Sequence, residues 1–296
     1  MRIISILILL ISLYSCILSE DIPESFDARV KWPNCIPKIQ DQEGCGACYA
    51  FSISTAFSMR YCIRNNLPKI INFSAQNLLN CLGFGCTGGF PDEVWNYLYY
   101  NGITTEKCLS YKGGTRSCNS KCDSKNVKFD KYYAAGEFKL LLDEISIKKE
   151  ILKNGPVTTA MDIYADYKAY KSGIYVHDKK YNKVKGLHSI TIMGWGVEGD
   201  DKYWLIQDSY GESKGENGFI KVKIGDSSGA GQSAFFDYKE GKYNEYNEED
   251  NIVEDVTGGN NDYKCGTTNN NKGDYINILV EIKYFMLLIF ISSFIF

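Results

Sequence analysis

The sequence predicts an α+β fold of two lobes, and two observations carry that expectation. In the first half of the chain apolar residues recur at helical spacing, as at Phe51, Ile53, Ala56, Phe57 and Tyr61; the second half is made of short β-type runs. Helices and strands segregated along a chain lead to segregated layers, not to alternating βαβ units. With 44% hydrophobic and 23% charged residues among 296, the composition is globular, and the length suits one large domain or two half-domains around a cleft. No internal repeat is visible.

Taken in order, residues 1–19 (MRIISILILLISLYSCILS) join Arg2 to an apolar run at 3–13 and end on the small Ser19. This is the pattern of a secretory signal, with an apolar core short for a membrane span. Residues 20–34 are polar with two prolines and predict an extended lead-in. Residues 48–65 predict a helix, delivered by a loop containing Gly44, Gly46 and Ala47. Ser74 is the N-cap of a second helix, SAQNLLNCL. A third, over 91–100, starts with Pro91, carries Asp92 and Glu93 in its first turn, and stops at Asn101-Gly102. Residues 108–130 form a cysteine-rich polar loop without periodicity. Residues 143–153 predict a short helix ended by Asn154-Gly155-Pro156, and β-type runs follow at 157–161, 188–194, 202–207 and 217–224. From Asp237 the chain turns polar and acidic, in the manner of a stalk, and residues 284–296 (YFMLLIFISSFIF) are almost wholly apolar.

A net charge of −3 gives no reason to expect nucleic acid or an anionic membrane surface as partner. The eleven cysteines point elsewhere, to an oxidising route. Cys16 leaves with the signal. Cys45 and Cys48 form one CxxC, but a zinc site or a thioredoxin motif is poorly served: the chain has two histidines and no βαβ pattern around Cys45. No metal or cofactor is expected.

Cys48 carries the strongest chemical signal. A thiol is a poor nucleophile until ionised, and the first turn of a helix favours the thiolate. Small residues before it let a substrate backbone approach. A neighbouring histidine holds the proton and later protonates the leaving amine. His188, in GLHSITIMGWG, is the better base, because His177 lies in a charged segment (VHDKK) expected to be exposed. Asp208, at a strand end in YWLIQDSYG, is placed to orient the imidazole, and Gln42 to donate to a developing oxyanion with the Cys48 N–H. The bland alternatives are a half-buried strand histidine, a solvated aspartate and a surface glutamine.

Residues 45–49 (CGACY) match the C-G-[SA]-C-[WY] signature of the papain and cathepsin group. DQEGCGACYAF, SAQNLLNC, GCTGG, LHSITIMGWG and the stretch 203–218 resemble that superfamily's motifs in order, and IPESFDARVKWPN and NGPVTTAMDIYADYKAYKSGIY are similar to cathepsin B in particular. The resemblance covers about residues 22–236. It implies a helical left lobe and a β-rich right lobe with Cys48 and His188 facing across the cleft. It implies disulfides Cys35–Cys62, Cys45–Cys86, Cys81–Cys118 and Cys108–Cys122, leaving Cys48 as the free thiol and Cys265 in the tail without a partner. Gly88 and Gly89 would line the substrate backbone groove, and Ala234 would floor the S2 pocket, favouring hydrophobic P2 side chains.

The departures matter. Asp208 stands where the family has asparagine; Tyr210 and Lys214 stand where shielding tryptophans are usual; Tyr49 replaces a tryptophan and Glu43 a glycine. The segment between Cys108 and Cys118 is short and lacks the histidines of cathepsin B's occluding loop, which implies endopeptidase action. Mature-type sequence begins about two residues after the signal, with no stretch resembling the family's propeptide between them; either folding and inhibition are managed otherwise, or this sequence starts late.

The expected organisation is therefore a signal peptide at 1–19, a papain-like cysteine protease domain at 20–238, an acidic stalk at 239–274, and at 275–296 a hydrophobic anchor or a glycosylphosphatidylinositol signal. Expected partners are protein or peptide substrates and cystatin-like inhibitors, with membrane contact only through the tail and a monomeric state. The expected route is the secretory pathway, to a lysosome-like vesicle, the medium or the cell surface. Asn72-Phe73-Ser74 is a glycosylation sequon. The rival reading is a catalytically weak papain-fold binding protein.

Overall fold

The computed structural model describes residues 22–136 and 138–237. The expected signal, stalk, anchor and Cys265 lie outside the described residues.

The first strand, β1 (Phe26–Asp27), runs into a single turn, α1 (Ala28–Lys31), whose N-cap Asp27 accepts from the Arg29 N–H. The predicted long helix is α2 (Cys48–Arg64), and Cys48 is its first residue. It is buried over 48–62, so it is a central helix flanked on all sides. Helix α3 (Ala75–Cys81) is capped by Ser74, which accepts from the Asn77 N–H at 3.0 Å and donates to the Leu109 carbonyl. Helix α4 (Pro91–Asn101) has proline at its start and ends at Gly102, where φ is 66°. These helices close over a core that includes Phe51, Phe57, Phe73, Leu78 and Trp95. That core is the left lobe.

The right lobe is a sheet. Strands β2 (Phe138–Leu141), β3 (Val157–Ile163), β4 (Ile174–Tyr175), β5 (Gly186–Glu198), β6 (Asp201–Gln207), β7 (Phe219–Lys223) and β8 (Ala234–Asp237) lie in the order β2-β8-β3-β5-β6-β7-β4. The pairings are antiparallel apart from parallel β4–β7, and β1 pairs the far end of β5. Helix α5 (Glu144–Asn154), capped by Asp143, and the short α6 (Ala165–Ala169) belong to this half. Its core includes Ile151, Ile190, Ile192, Trp195, Trp204 and Val222. The α+β, two-lobed expectation holds.

Strands β1, β2, β4 and β8 and helices α1 and α6 were not legible, and α1 interrupts the lead-in expected to be extended over 20–34. Each of these elements is two to five residues long, too short for periodicity to register. Strand β5 runs beyond its expected 188–194 because Gly186 and Leu187 pair with β3 and residues 195–198 with β6. A register shift between Ile192 and Gly194 lets β1 approach: a Cβ at Gly194 would lie 2.0 Å from the Phe26 carbonyl.

The two lobes meet along α2 and β5. Ser52, one turn into α2, lies 2.6 Å oxygen to oxygen from Ser189 of β5, and the Thr191 hydroxyl donates to the Ser52 carbonyl at 3.0 Å. Trp95 of α4 donates to Thr158 of β3 at 3.1 Å. The start of α2 is thereby held against the start of β5.

Candidate active site

The loop that delivers the chain to α2 is tied on both sides. The Gly46 N–H donates to the Cys86 carbonyl at 3.0 Å, and a Cβ at Gly46 would lie 2.5 Å from that oxygen. Any larger residue displaces the backbone just before Cys48. All four expected disulfides are present: Cys35–Cys62, Cys45–Cys86, Cys81–Cys118 and Cys108–Cys122. Glu43 has φ 55°, which explains a glycine preference at that place.

Cys48 is 1% exposed at the N-terminus of α2, where the macrodipole favours negative charge. The expectation that it remains a free thiol is corrected: Cys48 is disulfide-bonded. Chemistry explains the susceptibility, because thiolate is the form that enters disulfide exchange.

His188 is 1% exposed, on β5 opposite Met161 of β3. Its Nε2 lies 2.6 Å from Asp208 Oδ1, and the ring of Tyr210 stacks on the imidazole at 4.6 Å and 4°. Tyr210 thus covers one face of the imidazole. Lys214 does not intrude on the pair: its ammonium sits over the Tyr167 ring at 4.3 Å and donates to the Tyr167 carbonyl.

Asp208 is buried and fully engaged. Oδ1 also accepts from the Ser209 N–H at 2.7 Å, and Oδ2 accepts from the Tyr167 hydroxyl at 2.7 Å. Burial alone would push this carboxyl up. The charge on His188 and the hydrogen bonds from His188, Tyr167 and Ser209 outweigh it and hold the group below its ordinary value. Tyr167 moves the opposite way, raised by burial and by the neighbouring carboxylate, so it stays a donor.

Gln42 is buried, and its Nε2 donates to the Cys45 carbonyl at 2.9 Å. An amide nitrogen carries two hydrogens, so one remains for another acceptor. Ser209 links it to the acid, donating through Oγ to Gln42 Oε1 at 2.5 Å.

Gly88 (φ 94°) and Gly89 are buried beside this loop, and a Cβ at Gly89 would lie 2.6 Å from Phe84 and 2.9 Å from Tyr49 of α2. Ala234 is not at a surface. It is 0% exposed in the β-lobe core, because β8 turns it inward opposite Leu141, and half-buried Ser233 takes the outward place. His177 also differs from expectation. It is 8% exposed, stacked on Tyr164 at 3.6 Å, with Nδ1 3.2 Å from Asp166 and its N–H donating to Asp226. These partners come from other segments, so the local VHDKK pattern does not show them.

The structure brings Gln42, Asp208 and His188 into one hydrogen-bonded chain and sets the α2 terminus carrying Cys48 against the β5 strand carrying His188. Tyr167 and Ser209 were missed by sequence reasoning. A buried aspartate where an asparagine is usual implies a second donor, but only the fold identifies Tyr167, 41 residues upstream, as that donor.

This is the architecture of a papain-type thiol hydrolase. Residues 22–239 match the papain family cysteine protease model. The chain belongs to that family and is a cysteine protease of cathepsin B-like kinship. It is 34% identical over 242 residues to cathepsin B-like cysteine proteinase 4 of Caenorhabditis elegans, covering 69% of this chain and 72% of that one. It superposes on procathepsin B S9 from Trypanosoma congolense with a TM-score of 0.70 and 32% identity, covering 74% of this chain and 78% of the other. A Carica candamarcensis cysteine protease solved in complex with E-64 superposes with a TM-score of 0.61 at 25% identity, over 75% of this chain and all of that one. The four bridges fit passage through the secretory pathway.

Proposed function

We propose that the protein is a cysteine endopeptidase in which Cys48 attacks the scissile carbonyl and His188 is the paired imidazolium. The observation that supports this most is the buried His188–Asp208 pair held against the helix terminus that carries Cys48. The thiolate adds to the carbonyl carbon, and the oxyanion accepts from the Cys48 N–H and the second hydrogen of Gln42 Nε2. Collapse transfers the His188 proton to the leaving amine and leaves an acyl-enzyme, which water hydrolyses with His188 as base. Asp208 keeps Nε2 protonated, so that Nδ1 is the nitrogen that exchanges a proton with sulfur. Gly88 and Gly89 offer a groove free of side chains for the substrate backbone.

An apolar P2 side chain remains the expected preference, on a different basis: the 230–234 segment (Ala-Gly-Gln-Ser-Ala) carries no carboxylate to pair a P2 arginine. The short 108–118 segment supports endopeptidase action. We also read the protein as a monomer open to cystatin-like inhibitors, with residues 1–19 as signal, 239–274 as stalk and 275–296 as a hydrophobic anchor or a glycosylphosphatidylinositol signal, destined for a lysosome-like vesicle, the medium or the cell surface.

The nucleophile must first leave its disulfide, so activity requires a thiol reductant. An epoxide thiol reagent tests the reading. With reductant it labels Cys48 stoichiometrically, and Cys48→Ala abolishes labelling and peptide hydrolysis. Folded, reduced protein that takes up no label sinks the enzyme and favours a papain-fold binding protein.

A further inference from the structure

A carboxylate in place of an amide at position 208 creates a problem the fold has to solve. Asparagine presents one acceptor and one donor, whereas aspartate presents two acceptor oxygens, and both are buried here. A buried acceptor left without a donor is costly and draws the group toward its protonated form. A protonated Asp208 loses the charge that supports the imidazolium.

The second oxygen is met by one side chain. Helix α6 carries Tyr167, fully buried, with its hydroxyl 2.7 Å from Oδ2. Its ring is fixed from several elements: Tyr175 of β4 meets it edge-on at 5.3 Å, His188 of β5 lies at 6.4 Å, and Lys214 covers it and binds its carbonyl. The titratable groups around the carboxylate are His188, Tyr167, Tyr210 and Lys214, with Ser209 as a neutral donor.

We propose that Tyr167 is a positioning residue, coupled to Asp208: its hydroxyl fixes the carboxylate that orients His188, and the two side chains work as a pair. This rests on the reading of Cys48, His188 and Asp208 as the catalytic set. Tyr167 touches neither substrate nor sulfur and acts only through Asp208.

The test compares the wild type, Y167F, D208N and the double variant, all reduced, by peptide hydrolysis across pH. A hydrogen bond to a charged group is worth about ten- to a hundredfold, so Y167F lowers kcat by that factor with KM little changed. Without the hydroxyl Asp208 takes a proton more easily. Its titration moves up from its depressed position, and as pH falls activity is lost earlier. In the D208N background nothing titrates at this place, and the phenylalanine moves neither kcat nor the acid limb. An equal loss from Y167F in both backgrounds, or no change where Asp208 is kept, overturns the proposal. Should the wild type neither turn over nor take epoxide label, the protease reading has failed. The couple is then judged by NMR, since the ring signals of His188, one of two histidines, report Asp208 protonation. That inflection rises in Y167F if the couple is real, and an unmoved inflection refutes it.

Discussion

Gln42 is held from four directions. Its N–H donates to the Ser209 carbonyl at 2.8 Å, its own carbonyl accepts from the Tyr111 hydroxyl at 2.8 Å, and both ends of its side-chain amide are engaged. Such restraint suits a donor that must meet charge without reorganising. Replacing it by alanine is expected to lower kcat about 10²- to 10³-fold with little change in KM, because the bond strengthens only as the oxyanion forms. A change confined to KM in steady-state kinetics refutes that role. At this scale the sequence is informative where chemistry is local. The CGACY segment, Gln42, His188 and Asp208 were each legible from their motifs. Tyr167 and the burial of His177 were not, because their partners come from other segments that only the fold brings beside them.

Among the elements, the longer helices of both lobes were legible nearly to the residue, since Ser74, Pro91 and Asp143 mark helix starts by hydrogen bonding or fixed φ. The long loop after α4 was correctly read as irregular. Its internal brace was not foreseen. Glu106 Oε1 accepts from the Tyr111 N–H at 2.8 Å, while Oε2 is buried with no hydrogen-bond partner. The same residue borders a depression of about 640 Å³ that also touches Asn72, Lys107 and Tyr132. Burial pushes the Glu106 carboxyl up to about 7, against the opposing Tyr111 hydrogen bond and Lys112 charge. The sign follows from linkage. Between its unfolded value of about 4.3 and about 7 the folded chain holds the proton more tightly, so stability falls as pH rises. The cost is absent below that window and reaches roughly 3–4 kcal/mol above it. Glu106→Gln keeps the Tyr111 bond and removes the charge. Urea denaturation of the variant is expected to show a gain at neutral pH that vanishes in acid, and an equal effect at both would refute the mechanism.

For the molecule as a whole, the two cores are joined through a buried ion network as well as through the α2–β5 contact. Arg60, fully buried on α2, pairs with Asp237 of β8 at 2.9 Å and Glu150 of α5 at 2.6 Å, and donates to the Gly155 carbonyl. Asp237 in turn accepts from the Ala135 N–H at 3.1 Å and lies 3.5 Å from Arg64. One helix of the left lobe thereby holds strand β8 and helix α5 of the right lobe. An isolated charge at that depth is very costly, which is why one guanidinium with several acceptors is used. Arg60→Met preserves the bulk and removes the charge, leaving Glu150 without the guanidinium and Asp237 with Arg64 in the network. The expected loss is about 3–5 kcal/mol in urea denaturation, most of it from uncompensated buried carboxylates. Because the network spans both cores, near-ultraviolet and far-ultraviolet signals should still fall together. Because it lies more than two helical turns along α2 from Cys48, the variant that remains folded should keep the epoxide labelling rate of the reduced wild type. A labelling rate that falls in step with stability would mean that Arg60 also sets the placement of the α2 terminus, and that the lobes are not held there by Ser52, Ser189 and Thr191 alone.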